Sequence, residues 1–169
     1  NVGTKINSST SGFLQTNNGT IEKYCYNDDI NSCDVYGGLY EWPEAMQYVT
    51  SEGAQGICPP GWHIPADNEW KILEGTVDNL YPVGDPEWDL EFFRGFDAGG
   101  NLKEAGITHW FTPNTGGINT SGFTGLPGGV RYGIFGTFSA LGQYGNFWSS
   151  TQYNSSDAWN RYLWYQTAL

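Results

Sequence analysis

Apolar residues recur at helical spacing in two segments of the chain. The first follows Pro43, which suits the opening turn of a helix because the N–H that proline lacks would have no partner there. Ala45, Met46 and Val49 then fall on one helical face. This pattern predicts a helix that begins near Pro43 and ends at Gly53.

The second periodic segment predicts a helix at about 67–80. It begins either with Asp67 as its cap or with Ala66 in the cap position and Glu69 three residues later. Its apolar stripe consists of Trp70, Leu73, Val77 and Leu80.

Helical periodicity disappears after residue 80. Residues 81–125 combine Gly, Pro, Asn and Thr with scattered aromatics, which predicts long ordered loops around short strands. The pattern of residues 126–169 predicts short strands interrupted by glycines. We therefore predict an α+β fold, with residues 1–20 as an N-terminal arm or first strand and 21–169 as a single domain.

Composition excludes several classes of partner. The chain has 169 residues and a net charge of −11, with only seven scattered Lys and Arg residues, so neither a nucleic-acid partner nor an anionic lipid surface is expected. No apolar run is long enough to span a bilayer, so no membrane insertion is expected. The sequence starts at Asn1 without a signal peptide, which we interpret as a mature or trimmed secreted chain.

The three cysteines allow more than one arrangement. Cys25 and Cys33 lie close together among turn-forming residues, which suits a small disulfide loop. Cys58 is then either a buried free thiol or paired with a residue beyond Leu169. The alternative is a cytosolic protein in which all three cysteines are reduced.

Several long motifs resemble the Fibrobacter succinogenes major paralogous domain family, from about residue 24 to the end. The matching segments are Cys25-Tyr26, Gly38-Leu39-Tyr40-Glu41-Trp42, Gly56 to Pro65 with Glu69-Trp70, Ser121 to Gly129, Gly145 to Thr151, and Ala158 to Leu163. The resemblance implies a C-type-lectin-like fold of two short helices packed on small antiparallel sheets with long ordered loops. It also implies a further strand with a cysteine beyond the present chain, as the partner of Cys58.

The same fold branch contains formylglycine-generating enzymes and the variable proteins of diversity-generating retroelements. In those retroelements, adenines near the 3′ end of the gene are mutated, so that Asn-type codons are randomised. The resemblance therefore implies a prokaryotic or viral protein located outside the cell, on a cell surface or on a virion. Formylglycine generation needs a reactive pair of cysteines in the C-terminal half, and no cysteine follows Cys58, so an enzyme is not expected.

The segment 130–169 contains two classes of residue and is our predicted variable region. It has no Lys or Glu and is rich in Tyr, Trp, Ser and Asn, as binding surfaces are. The framework class is Phe138, Leu141, Gly142, Gly145, Trp148, Ser149, Ser150, Ala158, Trp159, Arg161 and Leu163. The predicted ligand-binding class is Tyr132, Ile134, Phe135, Ser139, Ala140, Gln143, Tyr144, Tyr153, Asn154, Asp157, Asn160, Tyr162, Trp164, Tyr165 and Gln166.

Alternation along 159–165 indicates a half-exposed strand, in which every second side chain faces outward. We expect the rings of Tyr162, Trp164 and Tyr165 to be exposed. Large aromatics usually pack inside, so burial is expected for Phe138, Trp148 and Trp159.

Catalytic and metal sites are not predicted. His63 and His109 lie far apart and have no partner at metal-ligand spacing. Two acidic groups could supply oxygen ligands to a structural calcium ion, although solvated loops are the simpler interpretation. They are Asp28, Asp29 and Asp34, and Asp85, Glu87, Asp89 and Glu91.

The sequence thus favours an extracellular domain that binds a protein or glycan on another cell or particle. A carbohydrate-binding or structural module of a cell-surface protein is the alternative, because exposed Trp and Tyr rings stack on sugars.

Overall fold

A computed structural model describes residues 2–8, 15–133 and 135–169. Within them the α-helices are α1 (Ile30–Tyr36), α2 (Trp42–Ala45), α3 (Asp67–Val77) and α4 (Ala98–Leu102), with 3-10 turns at Tyr26–Asp28 and Pro86–Asp89. The strands are β1 (Thr4–Lys5), β2 (Glu22–Lys23), β3 (Val130–Tyr132), β4 (Thr137–Ser139), β5 (Tyr144–Gln152) and β6 (Ala158–Trp164). The α+β class is confirmed.

The described strands form three two-stranded sheets, of which β3–β4 and β5–β6 are antiparallel. The third, β1–β2, is parallel, with Thr4 beside Glu22 and Lys5 beside Lys23, so the expectation of antiparallel sheets alone was wrong here. Strand β1 lies within residues 1–20, the segment predicted to be an N-terminal arm or first strand.

Helix α3 confirms the second predicted helix and identifies its cap. Ala66 holds the cap position, and the Glu69 carboxylate accepts a hydrogen bond from the Ala66 N–H at 2.8 Å. The helix ends at Val77, earlier than predicted, because Asp78 is extended and its carboxylate accepts the N–H groups of the following turn.

The first predicted helix is much shorter than its apolar stripe suggested. Helix α2 ends at Ala45, because Gln47 and Tyr48 adopt positive φ angles of 51° and 59° that a right-handed helix cannot contain. Ala45 and Met46 are buried as expected, whereas Val49 is exposed. The hydrophobic spacing here reflects a helical turn followed by an irregular turn.

Two further helices were not predicted, so the expected total of two was wrong. Helix α1 begins between the disulfide cysteines and contains Cys33, and the Asp29 side chain caps it by accepting the Asn31 N–H at 3.0 Å. Helix α4 contains Gly99 and Gly100, which lie in the segment predicted to form long ordered loops around short strands. Both glycines are buried, and the Gly100 N–H donates to the carbonyl of Ala168, so tertiary packing overrides the low helix propensity of glycine.

The predicted disulfide is confirmed. Cys25 and Cys33 are bonded, buried and 5.0 Å apart at their Cα atoms. Cys58 is a free, partly buried thiol, and burial raises its pKa.

The motif segments hold β5 against the rest of the chain through indole donors. Trp148 Nε1 donates to the Tyr40 carbonyl at 2.9 Å, and Trp42 Nε1 donates to the Ser149 carbonyl at 2.7 Å. The Ser149 side chain is fully buried. These reciprocal bonds join residues more than 100 positions apart and fix the position of β5.

The core beneath this sheet consists of Leu102, Trp110 and Leu163, with Leu73, Val77, Phe147 and Tyr165 packed against it. Across the described ranges, the helices are all too short or too polar to cross a lipid bilayer.

Candidate functional site

The register of β5 and β6 divides their side chains between two faces. Tyr144 lies opposite Trp164, Asn146 opposite Tyr162 and Trp148 opposite Asn160, which places these six on one side of the sheet, here called the outer face. The alternate residues Gly145, Phe147, Arg161 and Leu163 form the inner face, where Phe147 and Leu163 belong to the core.

An aromatic cluster occupies one end of the outer face. The rings of Tyr144 and Trp164 stack at 6.0 Å with an interplanar angle of 5°, and Tyr162 contacts Tyr144 at 6.0 Å. Phe93 covers this cluster, 5.4 Å from Tyr162 and 5.6 Å from Trp164. The three sheet residues are half-buried, so part of each ring can contact a partner. Burial, and to a smaller extent Tyr144, raises the pKa of Tyr162.

Phe93 is held in place by an ion-pair network beneath the sheet. Glu74 accepts from Arg94 Nη2 at 2.6 Å and from Arg161 Nε at 2.8 Å, and all three side chains are about nine-tenths buried. Arg94 also donates to the carbonyls of Trp88 and Leu90, so it fixes the segment that carries Phe93. The ion pairs beneath the inner face therefore fix the position of the Phe93 ring on the outer face.

A groove of about 360 Å³ runs between β6 and residues 90–94. We call it the β6 groove. Among the residues that line it are Tyr153, Asp157, Asn160 and Tyr162, all four of which were predicted to bind ligand. This volume lies at the lower end of the range for ligand sites, about 300–1,000 Å³.

A second, more apolar cavity of about 490 Å³ lies along the opposite strand, β5. The Arg131 side chain, 3% exposed, lines it and stacks over the Tyr24 ring at 3.7 Å. Glu41 approaches Arg131 at 3.7 Å, and burial raises the pKa of Glu41 even though Arg131 opposes that shift. Asn160 lines both cavities.

The remaining predicted residues lie in three other places. Tyr132, Phe135 and Ser139 are exposed on the β3–β4 hairpin, and within the described ranges none makes a ring contact with the outer face. Ala140 and Gln143 are half-buried in the turn after the hairpin, whereas Asn154 is exposed in the loop before β6. Ile134 lies outside the described residues.

Tyr165 departs from the expected exposure. It packs against the core with its ring 6.2 Å from Phe111, and its hydroxyl accepts from the amide of exposed Gln166 at 2.7 Å. Tyr162 and Trp164 are half-buried rather than exposed.

The framework aromatics are also less deeply placed than expected. Phe138, Trp148 and Trp159 are half-buried, and Trp159 stacks edge-on with Tyr153 at 4.8 Å. A two-stranded sheet covers each side chain only partly, so few of its rings disappear completely into the interior.

The histidines form isolated pairs with carboxylates. His63 Nε2 lies 2.9 Å from Glu69 and His109 Nδ1 lies 2.9 Å from Glu104. Hydrogen bonds from the Ala66 N–H and from His63 lower the pKa of Glu69. In the part of the chain that the structure describes, no three His, Cys, Asp or Glu side chains are arranged to hold a metal ion.

Sequence reasoning did not identify Phe93 as part of the site. The available signal was the run Leu90-Glu91-Phe92-Phe93, in which three of four residues are apolar; all three remain exposed, with Phe92 83% exposed at a positive φ of 66°. An exposed apolar run of this kind indicates a contact surface.

Comparison with known proteins gives a family match. The family model described as the Fibrobacter succinogenes major domain matches residues 1–169. No curated protein and no solved structure matches the chain.

Proposed function

Because the chain belongs to the Fibrobacter succinogenes major domain family, we propose that it is an extracellular ligand-binding domain, the variable protein of a diversity-generating retroelement. Its frame is a C-type-lectin-like fold, and its ligand is a protein or glycan on another cell or particle. The Cys25–Cys33 disulfide supports a location outside the cytosol, since such bonds persist in oxidising compartments.

One observation carries this proposal. Along β5 and β6, predicted ligand residues Tyr144, Asn160, Tyr162 and Trp164 share the outer face with one framework residue, Trp148, whose indole is bonded to Tyr40. Framework residues Arg161 and Leu163 lie on the inner face, where Leu163 points into the core. A sheet built in this way can change its outer side chains without disturbing its inner ones. Such a division suits a surface that must vary while the fold stays constant.

The composition of the outer face supports recognition rather than chemistry. Rigid aromatic rings offer contact area at little entropic cost, and asparagine amides offer adaptable hydrogen bonds. A carbohydrate-binding module is the second candidate, because the aromatic rings at the edge of the cluster and along the β6 groove could stack against sugar rings.

Replacing Tyr162 or Asn160 with alanine should weaken ligand capture by about tenfold or more, the loss typical of a central contact residue. The melting temperature should change by only a few degrees, because neither side chain belongs to the core. The ligand is first identified on arrays of microbial surface glycans and purified surface proteins, and affinities are then measured by calorimetry. Trp62→Ala is the matched control, since Trp62 is 71% exposed and lies outside both cavities that β6 borders.

Capture that survives both outer-face substitutions, or that Trp62→Ala weakens equally, contradicts the proposal. Tight binding to a single class of glycan favours the carbohydrate-binding module instead.

A further inference from the structure

We propose that the β6 groove binds an extended, basic segment of a partner protein, which adds to the free edge of β6 as a further strand. This inference rests on the proposed ligand-binding function and names the class of its partner. Three properties of the groove carry it: an unpaired strand edge, an acidic rim and exposed aromatic faces.

The edge of β6 is open at Tyr162. The Tyr165 N–H donates to the carbonyl of Gln143, which lies opposite it in register, so these two residues form a hydrogen-bonded pair. Hydrogen-bonded and non-bonded pairs alternate along two antiparallel strands, which makes Tyr162 and Asn146 a non-bonded pair. Tyr162 therefore turns its N–H and C=O away from β5. Nothing in the described ranges bonds to them there, whereas the outward carbonyl of Trp164 accepts from Lys103 at 2.9 Å.

An unpaired edge of this kind is a template for strand addition. The partner's main chain would supply the donor and acceptor that Tyr162 lacks, and its alternate side chains would enter the groove. A second copy of this chain is a poor occupant, because each copy carries a net charge of −11.

The charges that line the groove favour a cationic occupant. Its two basic side chains, Arg94 and Arg161, are both bonded to Glu74 beneath the sheet. Glu91 and Asp157 are exposed on its lining, and within the described residues neither takes part in an ion pair. The Asp157 carboxylate accepts a hydrogen bond from the Asn154 amide at 2.9 Å but has no cationic partner in the described part of the chain, so both carboxylates can pair with lysine or arginine.

The aromatic residues of the groove can hold the same cations. Phe92, Phe93, Tyr153 and Tyr162 line it, and Phe92 and Tyr153 are 83% and 54% exposed. An ammonium or guanidinium group over such a ring gains a cation–π interaction. Carboxylates and aromatic faces together match a segment that alternates basic and apolar residues.

The test uses synthetic peptides as probes for the whole protein. A peptide of alternating lysine and valine should bind, and a peptide with glutamate in place of lysine should not, both measured by calorimetry at physiological salt. The double variant Glu91→Gln/Asp157→Asn should bind the lysine peptide about fivefold more weakly, as expected when two exposed ion pairs are lost. The control Asp34→Asn/Glu52→Gln makes the same change in net charge outside the groove and should bind as the wild type does.

Strand addition is tested by N-methylation of alternate peptide bonds in the lysine peptide, which removes main-chain donors and should abolish binding. Equal affinity of the methylated peptide, equal weakening in the control variant, or pairing of β6 with a second copy of the chain each overturns the inference. If Tyr162→Ala abolishes capture of a natural ligand while the lysine peptide fails to bind, the proposed function stands and this inference alone falls.

Discussion

Replacement of Glu74 with alanine lowers the free energy of unfolding by about 3–5 kcal/mol, the cost of leaving buried charges without their partner. Glu74 is 8% exposed and accepts hydrogen bonds from both Arg94 and Arg161. Arg161 keeps its bonds to Asp67 and to the carbonyl of Asn160 after the substitution, and Arg94 keeps only backbone carbonyls. Two buried guanidinium groups then lose their shared carboxylate.

This loss is measured by urea denaturation at neutral pH, followed by tryptophan fluorescence. Glu74→Gln preserves the shape of the side chain and removes only its charge, so it should account for most of the effect. Glu52→Ala is the matched control, since Glu52 is exposed, and it should cost less than about 1 kcal/mol. A loss below about 1 kcal/mol in Glu74→Ala would contradict the role assigned to this network.

Replacement of Lys103 with methionine lowers the free energy of unfolding by about 3 kcal/mol, because buried carbonyls lose their donors. Lys103 is fully buried, and its Nζ donates to the carbonyls of Thr115, Trp164 and Thr167 at 2.7–2.9 Å. These bonds tie the end of β6 to a distant loop. Methionine fills a similar volume and offers no donor.

The same lysine gives stability a defined dependence on pH. Burial lowers the pKa of Lys103 to about 8, whereas in the unfolded chain it is about 10.4. Between these values the unfolded state binds more protons, so the free energy of unfolding contributed by Lys103 rises with pH. The difference in unfolding free energy between wild type and Lys103→Met should therefore increase from pH 8 to pH 10.

Taking the difference between the two proteins, rather than the wild type alone, removes the contribution of the tyrosines to the pH dependence of stability. Burial raises the pKa of Tyr24, Tyr36 and Tyr40, which destabilises the fold only above about pH 10 and equally in both proteins. A difference that stays flat or falls across this window would contradict the buried-cation account of Lys103. Lys71→Met is the control, because Lys71 pairs with Asp67 and Asp89 nearer the surface.

Local sequence signals predicted the elements whose stability is itself local. Helix α3 followed from its periodicity and from Glu69, and the disulfide followed from the spacing of Cys25 and Cys33. The alternation along β6 predicted which residues share a face, because the two-residue period of a strand depends only on the backbone.

Elements that depend on distant contacts could not be predicted in this way. Helix α4 forms around Gly99 and Gly100 because the C-terminal residues pack against them. Phe93 joins the aromatic cluster because Arg94 is held by Glu74, twenty residues earlier in the chain. Tyr165, by contrast, turns inward because it follows Arg161 and Leu163 on the two-residue period of the strand, so its expected exposure departed from that alternation.

Under the proposed diversification, the genetic code limits which of the predicted ligand-binding residues can vary. An asparagine codon ends in a pyrimidine, whereas the codons of glutamine and tryptophan end in a purine. Replacement of adenines therefore cannot turn an asparagine codon into that of Gln143, Trp164 or Gln166. For Trp164 this agrees with its half-buried position stacked on Tyr144, which suits a constant member of the outer face.

Sequencing the DNA around the coding segment tests the central claim most directly. We predict a nearby, almost identical repeat that differs from the coding copy only where the repeat has adenines. The altered codons should fall on outward positions such as Tyr153, Asn160 and Tyr162, and they should spare Phe147 and Leu163 in the core. Absence of such a repeat, or differences that alter the core codons as often as the outward ones, would contradict the account.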